Sequence, residues 1–421
     1  MNNKNFQDII DAFTVKKEEL DQIAAAFRRD IVLGLEEKDV SSFKMLKSYL
    51  QLPTRDEKGF FIALDFGGTN IRALLIELLG DGKVNIVKKA AKQLVTKEYN
   101  YISAQTSAEA LFDFIACLIL EVAESDKDYL LGHTFSFPSV QTDLNNAALI
   151  TWTKEFAVQG VEGKIVNDLL AAALKRRGIN NIKPVAVIND TVATLLAAAY
   201  RYDHTDIGSI CGTGHNTAYL ESYRGYGKAR MILNLESGNF DKLVPNKYDR
   251  MIDERSDKPG QQRLEKMVSG KYLGDLFFTA IGEVLTVQEK ENPFDGADLS
   301  IILSDQSQNL GAVSKLMKEK IFLDLDEKIC VWIKAIAETI VIRSARLIAA
   351  SYVAIIWHID GDEFLNHHTI AIDGSLFEKM PYYKEAMQQA IYEILGQDAQ
   401  KVQLVLENQG SGVGAAIAAA I

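Results

Sequence analysis

The hexapeptide Asp65-Phe66-Gly67-Gly68-Thr69-Asn70 lies between two apolar runs, residues 60–64 and 71–76. That is the pattern of a β-hairpin with glycines in its turn. Adjacent glycines let the backbone approach a ligand with its N–H groups inward, and Thr69 and Asn70 add side-chain donors, so the turn suits phosphate oxygens. Asp65, closing the first strand, is placed to hold a divalent cation beside such phosphates, directly or through water. A Gly-Gly pair in a hairpin, taken alone, is more often only a turn. Repetition argues for more. Residues 207–221 repeat the design, with Gly212-Thr213-Gly214-His215-Asn216 between apolar strands. Two such hairpins, each followed by strand and helix units, predict a duplicated domain facing itself across a cleft, with one phosphate turn from each half on a single nucleotide.

Three further stretches carry polar groups at element ends. Residues 131–137 alternate as a strand and break at Pro138, so Ser136-Phe137-Pro138 offers a hydroxyl and backbone groups at the carboxyl edge, where open α/β sheets bind ligands. Thr151-Trp152-Thr153-Lys154 follows with another hydroxyl and an ammonium, and a solvated loop is its plain reading. Asn189-Asp190-Thr191 lies where a buried strand (184–188) meets a helix (192–200). There the Asp190 carboxylate either faces a cleft beside helix N–H groups or caps the helix.

The elements that must position these groups are legible from periodicity. Apolar residues recur at helical spacing up to about residue 33, predicting one amphipathic N-terminal helix. Pro53 and residues 54–58 mark a joint. A turn at Gly80-Asp81-Gly82 leads to a third strand (84–88), and helices are predicted over 107–122, capped by Ser107, and 166–177. Residues 329–359 read as a buried helix, because the longest stretch without formal charge, 347–359, falls short of a membrane span. The alanine-rich end, residues 410–421, reads as a helix.

With 421 residues, 48% of them hydrophobic, the chain is long enough for two or three cores. A net charge of -11 without a basic cluster argues against nucleic acid or an anionic membrane as partner. Cys117, Cys211 and Cys330 are odd in number, far apart and form no CxxC, which suggests neither a disulfide framework nor a zinc site and fits a reducing, cytoplasmic setting. The N-terminus lacks the apolar core of a secretion signal.

Taken together, the motifs resemble those of the hexokinases, ATP-dependent sugar kinases of the two-domain actin-like (ribonuclease H-like) α/β fold. The match covers LDFGGTNIR (64–72), FSFP (135–138), LITWTK (149–154), INDTVAT (188–194), GTGHN (212–216), NLE (234–236), PGQQRLEKMVSGKYLGD (259–275), IDGSLF (372–377) and GSGVGAA (410–416). The resemblance implies that Asp190 is the general base that deprotonates a sugar hydroxyl, with Lys154 and Arg72 as the other catalytic groups. It implies sugar ligands at Ser136, Phe137, Pro138, Thr153, Lys154, Asn189, Asp190, Asn216, Glu236, Gln262 and Glu265. Asp65, Gly67, Gly68, Thr69, Asn70 and Arg72 resemble the first phosphate loop, Gly212, Thr213 and Gly214 the second, and Gly374, Ser375, Gly410, Ser411 and Gly412 fall where the family holds the nucleoside. Magnesium would arrive with ATP, next to Asp65.

The expected product is a hexose 6-phosphate, with glucose as the first candidate acceptor, for glycolysis. The expected divisions are an N-terminal helical segment (1–54) packing on the large domain, a small domain (55–188), a large domain (189–409) and a C-terminal helix (410–421) returning to the small one. Sugar binding is expected to close the domains and exclude water, in a monomer or homodimer. Some positions depart from the pattern: Glu155 replaces the usual glycine after WTK, Ser237 the usual tryptophan after Asn-x-Glu, Lys258 the usual asparagine, and Gly296-Ala297 a Thr-Lys pair beside the base. A catalytically weak sugar-binding regulator and an actin-like ATPase without sugar chemistry are the rival readings. A nicotinamide dehydrogenase is disfavoured because GxGxxG is absent from any strand-to-helix turn.

Overall fold

The computed structural model describes residues 3–222, 230–285, 287, 291–361 and 366–421. In chain order the strands are β1 (Leu46–Lys47), β2 (Lys58–Phe66), β3 (Asn70–Gly80), β4 (Lys83–Gln93), β5 (Tyr129–Phe135), β6 (Ser139–Val140), β7 (Ala148–Leu149), β8 (Ile182–Ile188), β9 (Thr205–Cys211), β10 (His215–Glu221), β11 (Met231–Asn234), β12 (His368–Asp373) and β13 (Val402–Leu406). The helices are α1 (Asn3–Phe13), α2 (Lys17–Leu35), α3 (Ala108–Leu120), α4 (Val166–Arg176), α5 (Asp190–Arg201), α6 (Lys247–Arg255), α7 (Arg263–Val268), α8 (Gly270–Ile281), α9 (Gly296–Ser304), α10 (Gly311–Ile321), α11 (Glu327–Asp360), α12 (Ser375–Lys379), α13 (Tyr383–Leu395) and α14 (Gly410–Ala420).

Chain contacts divide these elements into two compact units. One comprises Leu46–Ser209, Ala218–Asn234 and Glu407–Ile421. Its five-stranded sheet has the order β4-β3-β2-β5-β8, antiparallel from β4 to β2 and parallel from β2 to β8. The central strand β2 is buried on both faces, which is why its sequence is a continuous apolar run rather than an alternation. Ile62, Leu64 and Phe66 pack with α3 and α4. Phe61 and Ala63 pack on the opposite face with α5 and α14. That second face demands small residues. A Cβ on Gly132 of β5 would lie 1.7 Å from the Ala415 carbonyl oxygen, and one on Gly414 would lie 2.1 Å from that of Ala193.

The other unit comprises Met1–Met45, Ile210–Thr217 and Leu235–Leu406. The 34-residue α11 runs through it, packed by α2, α8 and α13. Among the described residues α11 is the one helix long and apolar enough to cross a membrane, but 83% of its most apolar window is buried in this fold. The buried Arg343 of α11 forms paired hydrogen bonds of 2.9 and 2.7 Å with Asp249 of α6. A six-stranded sheet has the order β1-β11-β10-β9-β12-β13, and β9 and β10 have residues in both units.

Two expectations need correction. The single N-terminal helix is two, because Thr14 folds its hydroxyl onto the Ile10 carbonyl (2.8 Å) and the Lys16 amide donates to the Glu19 carboxylate (2.8 Å), ending one helix and capping the next. The boundary drawn between residues 188 and 189 separates α5 from the sheet with which it is grouped. Here α5 packs against α14 and belongs with the five-stranded sheet.

Candidate active site

Within the first unit, Asp65, Gly67, Gly68, Asn70, Arg72, Ser136, Asp190 and Ser411 line one cavity of about 450 Å³. The β2–β3 hairpin sets the turn of residues 67–69 at its end, and its register pairs Asp65 with Arg72. Arg72 accordingly grips Asp65 through two nitrogens, the Nε–Oδ2 contact being 2.9 Å. This ion pair was not foreseen. It leaves one carboxylate oxygen outside the pair.

Asp190 is the first residue of α5 and half-buried. The capping alternative belongs to its neighbour: Asn189 is the N-cap, its Oδ1 accepting from the Thr191 amide (2.9 Å) and hydroxyl (2.6 Å). Burial pushes the Asp190 carboxyl above the ordinary carboxylate value, against the Ser136 hydroxyl, the Lys154 ammonium and the Thr191 amide, which favour the charged form. Lys154, in left-handed backbone (φ 61°), donates to the carbonyls of Gly67 and, at 3.4 Å, Ser136. Desolvation lowers its pKa, opposed by the charges of Asp190 and Asp65. Phe137 lies beneath it, 5.0 Å from ring centre to ammonium, in an aromatic cluster with Phe66, Trp152 and Phe156. The Thr134 hydroxyl donates to the Ser411 carbonyl (2.7 Å), tying β5 to the start of α14.

In the other unit, the Asn216 amide donates to Glu236 (3.0 Å) and accepts from the Ser237 amide (3.2 Å). Glu265 accepts from the His215 amide (3.1 Å), and burial raises its pKa. Glu236 and Gln262 both adopt left-handed backbone, φ 55° and 51°. The departure at Ser237 is accommodated inside the unit: the residue is fully buried, its hydroxyl 3.3 Å from His215 Nε2 and 3.2 Å from the Thr217 hydroxyl. The turn of Gly212, Thr213 and Gly214 closes on itself from the Gly212 amide to the Gly214 carbonyl (3.1 Å) and is held by the amides of Gly270 and Lys271. Gly374 sits against it, where a Cβ would lie 2.3 Å from the Cys211 carbonyl oxygen.

The residues expected for the nucleoside do not share a unit. Gly374 and Ser375 belong to this one, and Gly410, Ser411 and Gly412 to the first. The freedom of Gly410 and Gly412 is already used by packing, since Cβ atoms there would meet Thr194 at 2.8 Å and Leu74 at 2.3 Å. Gly296 and Ala297 open α9, where the Asp295 carboxylate caps the amides of Ala297 and Asp298. Three residues that hold the site were missed: Thr134, Thr191 and His215. Thr191 had a local signal, a hydroxyl in the first turn of a helix. His215 and Thr134 act through long-range contacts that carry none.

A hexokinase family model matches residues 5–200 and a second matches residues 206–421. Hexokinase-1 of Schizosaccharomyces pombe is 34% identical over 100% of this chain and 92% of its own length. The chain belongs to the hexokinase family. Rat hexokinase-2 is 33% identical over the whole of this chain, which spans 48% of that protein. A crystal structure of a hexokinase superposes with TM-score 0.89 at 34% identity, covering 99% of this chain and 98% of that one. A Schistosoma mansoni hexokinase complexed with glucose gives 0.83 at 30% identity over 99% of each. The fold is thus the two-domain α/β fold of actin-like sugar kinases, and the reaction of this hexokinase-family chain is ATP-dependent phosphorylation of a hexose hydroxyl.

Among the described residues no three His, Cys, Asp or Glu side chains gather into a metal cluster. A single carboxylate with one oxygen outside its ion pair nevertheless fits magnesium, which keeps most of its waters and takes its remaining ligands from substrate phosphates. Asp65 is the residue that would hold it.

Proposed function

We propose that this chain transfers the γ-phosphoryl group of Mg-ATP to the 6-hydroxyl of glucose, feeding glycolysis in the cytoplasm. The observation that carries the mechanism is that one cavity of the first unit brings the Asp190 carboxylate, held above its ordinary pKa, together with the Gly67-Gly68 turn, Asn70 and Arg72. A base and a phosphate cradle share one space. The acceptor comes from the family resemblance and the glucose-bound relative, and three cysteines without a disulfide fit a reducing compartment.

Asp190 takes the hydroxyl proton as the sugar oxygen bonds to the γ-phosphorus and the β–γ bridging bond breaks to release ADP. Lys154 and Arg72 balance charge building on the transferring oxygens. Asp65 would hold magnesium arriving with ATP, which would supply neutralisation of phosphate charge. On the family resemblance, Ser136, Phe137, Pro138, Thr153, Lys154, Asn189, Asn216, Glu236, Gln262 and Glu265 serve as hexose ligands. Amides and carboxylates suit a polyol, since an amide can donate to or accept from a ring hydroxyl and a carboxylate accepts from one. The deciding experiment measures glucose 6-phosphate formed by the parent and by Asp190→Ala. Loss of a general base lowers kcat by about 10²- to 10⁴-fold, and near-parental turnover would overturn the assignment.

A further inference from the structure

We propose that Lys266 and Asp253 are positioning residues that clamp the loop presenting Gln262 and Glu265, and thereby set hexose affinity; the inference rests on the reading of Gln262 and Glu265 as hexose ligands. Lys266 stands one residue after Glu265 on α7, and its side chain is only 4% exposed. Its ammonium lies 2.5 Å from Asp253 Oδ1 and donates at 2.7 Å to the Lys258 carbonyl. Asp253, near the end of α6, accepts the Gly260 amide on both oxygens, at 3.0 and 2.9 Å. The Lys266 amide donates to the Gln262 carbonyl at 3.0 Å. One ammonium and one carboxylate thus fasten the backbone at residues 258 and 260, and the helix that carries the ammonium begins from residue 262. Gly260 (φ 81°) takes the left-handed region that glycine adopts freely, whereas Gln262 (φ 51°) holds there a backbone that a non-glycine residue disfavours without restraint.

A buried ammonium is costly unless its hydrogen bonds are met; of its two acceptors the Lys258 carbonyl lies in the hexose loop, and Asp253 of α6 holds the same loop at the Gly260 amide. The loop is held through the carbonyl of residue 258, whose side chain is exposed, so the clamp does not depend on the side chain at that position. An ion pair that only joined α6 to α7 would support folding and leave the two substrates' affinities alike.

The test is glucose affinity of the full chain by titration calorimetry without ATP, together with KM for ATP. Lys266→Met is expected to weaken glucose binding by about 10- to 100-fold, the range that loss of a ligand's supporting partner costs, with KM for ATP unmoved and Lys266→Arg closer to the parent. Gly260→Ala is expected to act in the same direction. A Cβ there meets nothing within 4 Å, so the substitution strains the turn without touching a neighbour; it carries the test if Lys266→Met does not fold. Gln262→Ala separates the two layers of inference. If it weakens glucose binding while Lys266→Met and Gly260→Ala bind like the parent, or if these two weaken glucose and ATP together, the clamp is overturned. If Gln262→Ala leaves glucose binding unchanged, the ligand reading fails and the clamp falls with it.

Discussion

At the scale of single residues, the site was legible wherever chemistry is written into a contiguous motif. Of the eight cavity-lining residues, Asp65, Gly67, Gly68, Asn70, Ser136 and Asp190 lie in stretches singled out by a glycine turn or by polar groups at strand ends, and Arg72 and Ser411 came from the family resemblance. Pairings were not legible, because Arg72 reaches Asp65 only through hairpin register and Asn189 takes the capping role that either neighbour is chemically fit to play. The surroundings of Asp190 lead to a pH prediction. A base works deprotonated, and burial raises its pKa, so the acid limb of kcat/KM should lie above the ordinary carboxylate range, with activity lost as pH falls through it. A pH–rate profile with its acid limb near pH 4 would contradict this. Lys154, lowered by desolvation, must stay protonated to balance phosphate charge, so the alkaline limb should fall below the ordinary lysine value of 10.5 and vanish in Lys154→Arg.

At the scale of elements, hairpins and helices with local punctuation were read correctly, whereas β1, two residues that pair with β11, depends on contacts nearly two hundred positions apart and leaves no local trace. The break between α1 and α2 is the instructive miss, since apolar periodicity continues across it while hydroxyl and carboxylate capping ends the helix. Glycines of different elements should answer to different assays. Gly132→Ala forces β5 off the backbone of α14 and is expected to lower stability by about 1–3 kcal/mol or more, as overpacking does. Gly68→Ala meets no atom within 4 Å and is expected to change unfolding free energy by less than about 0.5 kcal/mol while raising KM for ATP. Thermal unfolding beside initial rates would check both, and equal stability losses would refute the contrast.

At the scale of the whole molecule, composition announced an acidic chain with room for more than one core but not how the chain is shared between them. Ligand linkage offers a check on assignment. Glucose at a hundred times its Kd should stabilise the folded chain by about 2.7 kcal/mol, and Asp190→Ala should keep that gain while losing turnover, since the substitution removes proton transfer and leaves the other proposed ligands in place. A variant that lost both would make Asp190 a binding group. The unit that carries Asp190 is also discontinuous, its α14 following the whole of Leu235–Leu406 in the chain. On the ribosome, at about 5–20 residues per second, roughly nine to thirty-five seconds would pass between emergence of β11 and arrival of the helix that covers one face of the sheet. Through that interval the nascent sheet offers Phe61, Ala63 and Ile76 to any passing holdase chaperone, so crosslinking to stalled chains should peak there and fade once α14 clears the exit tunnel.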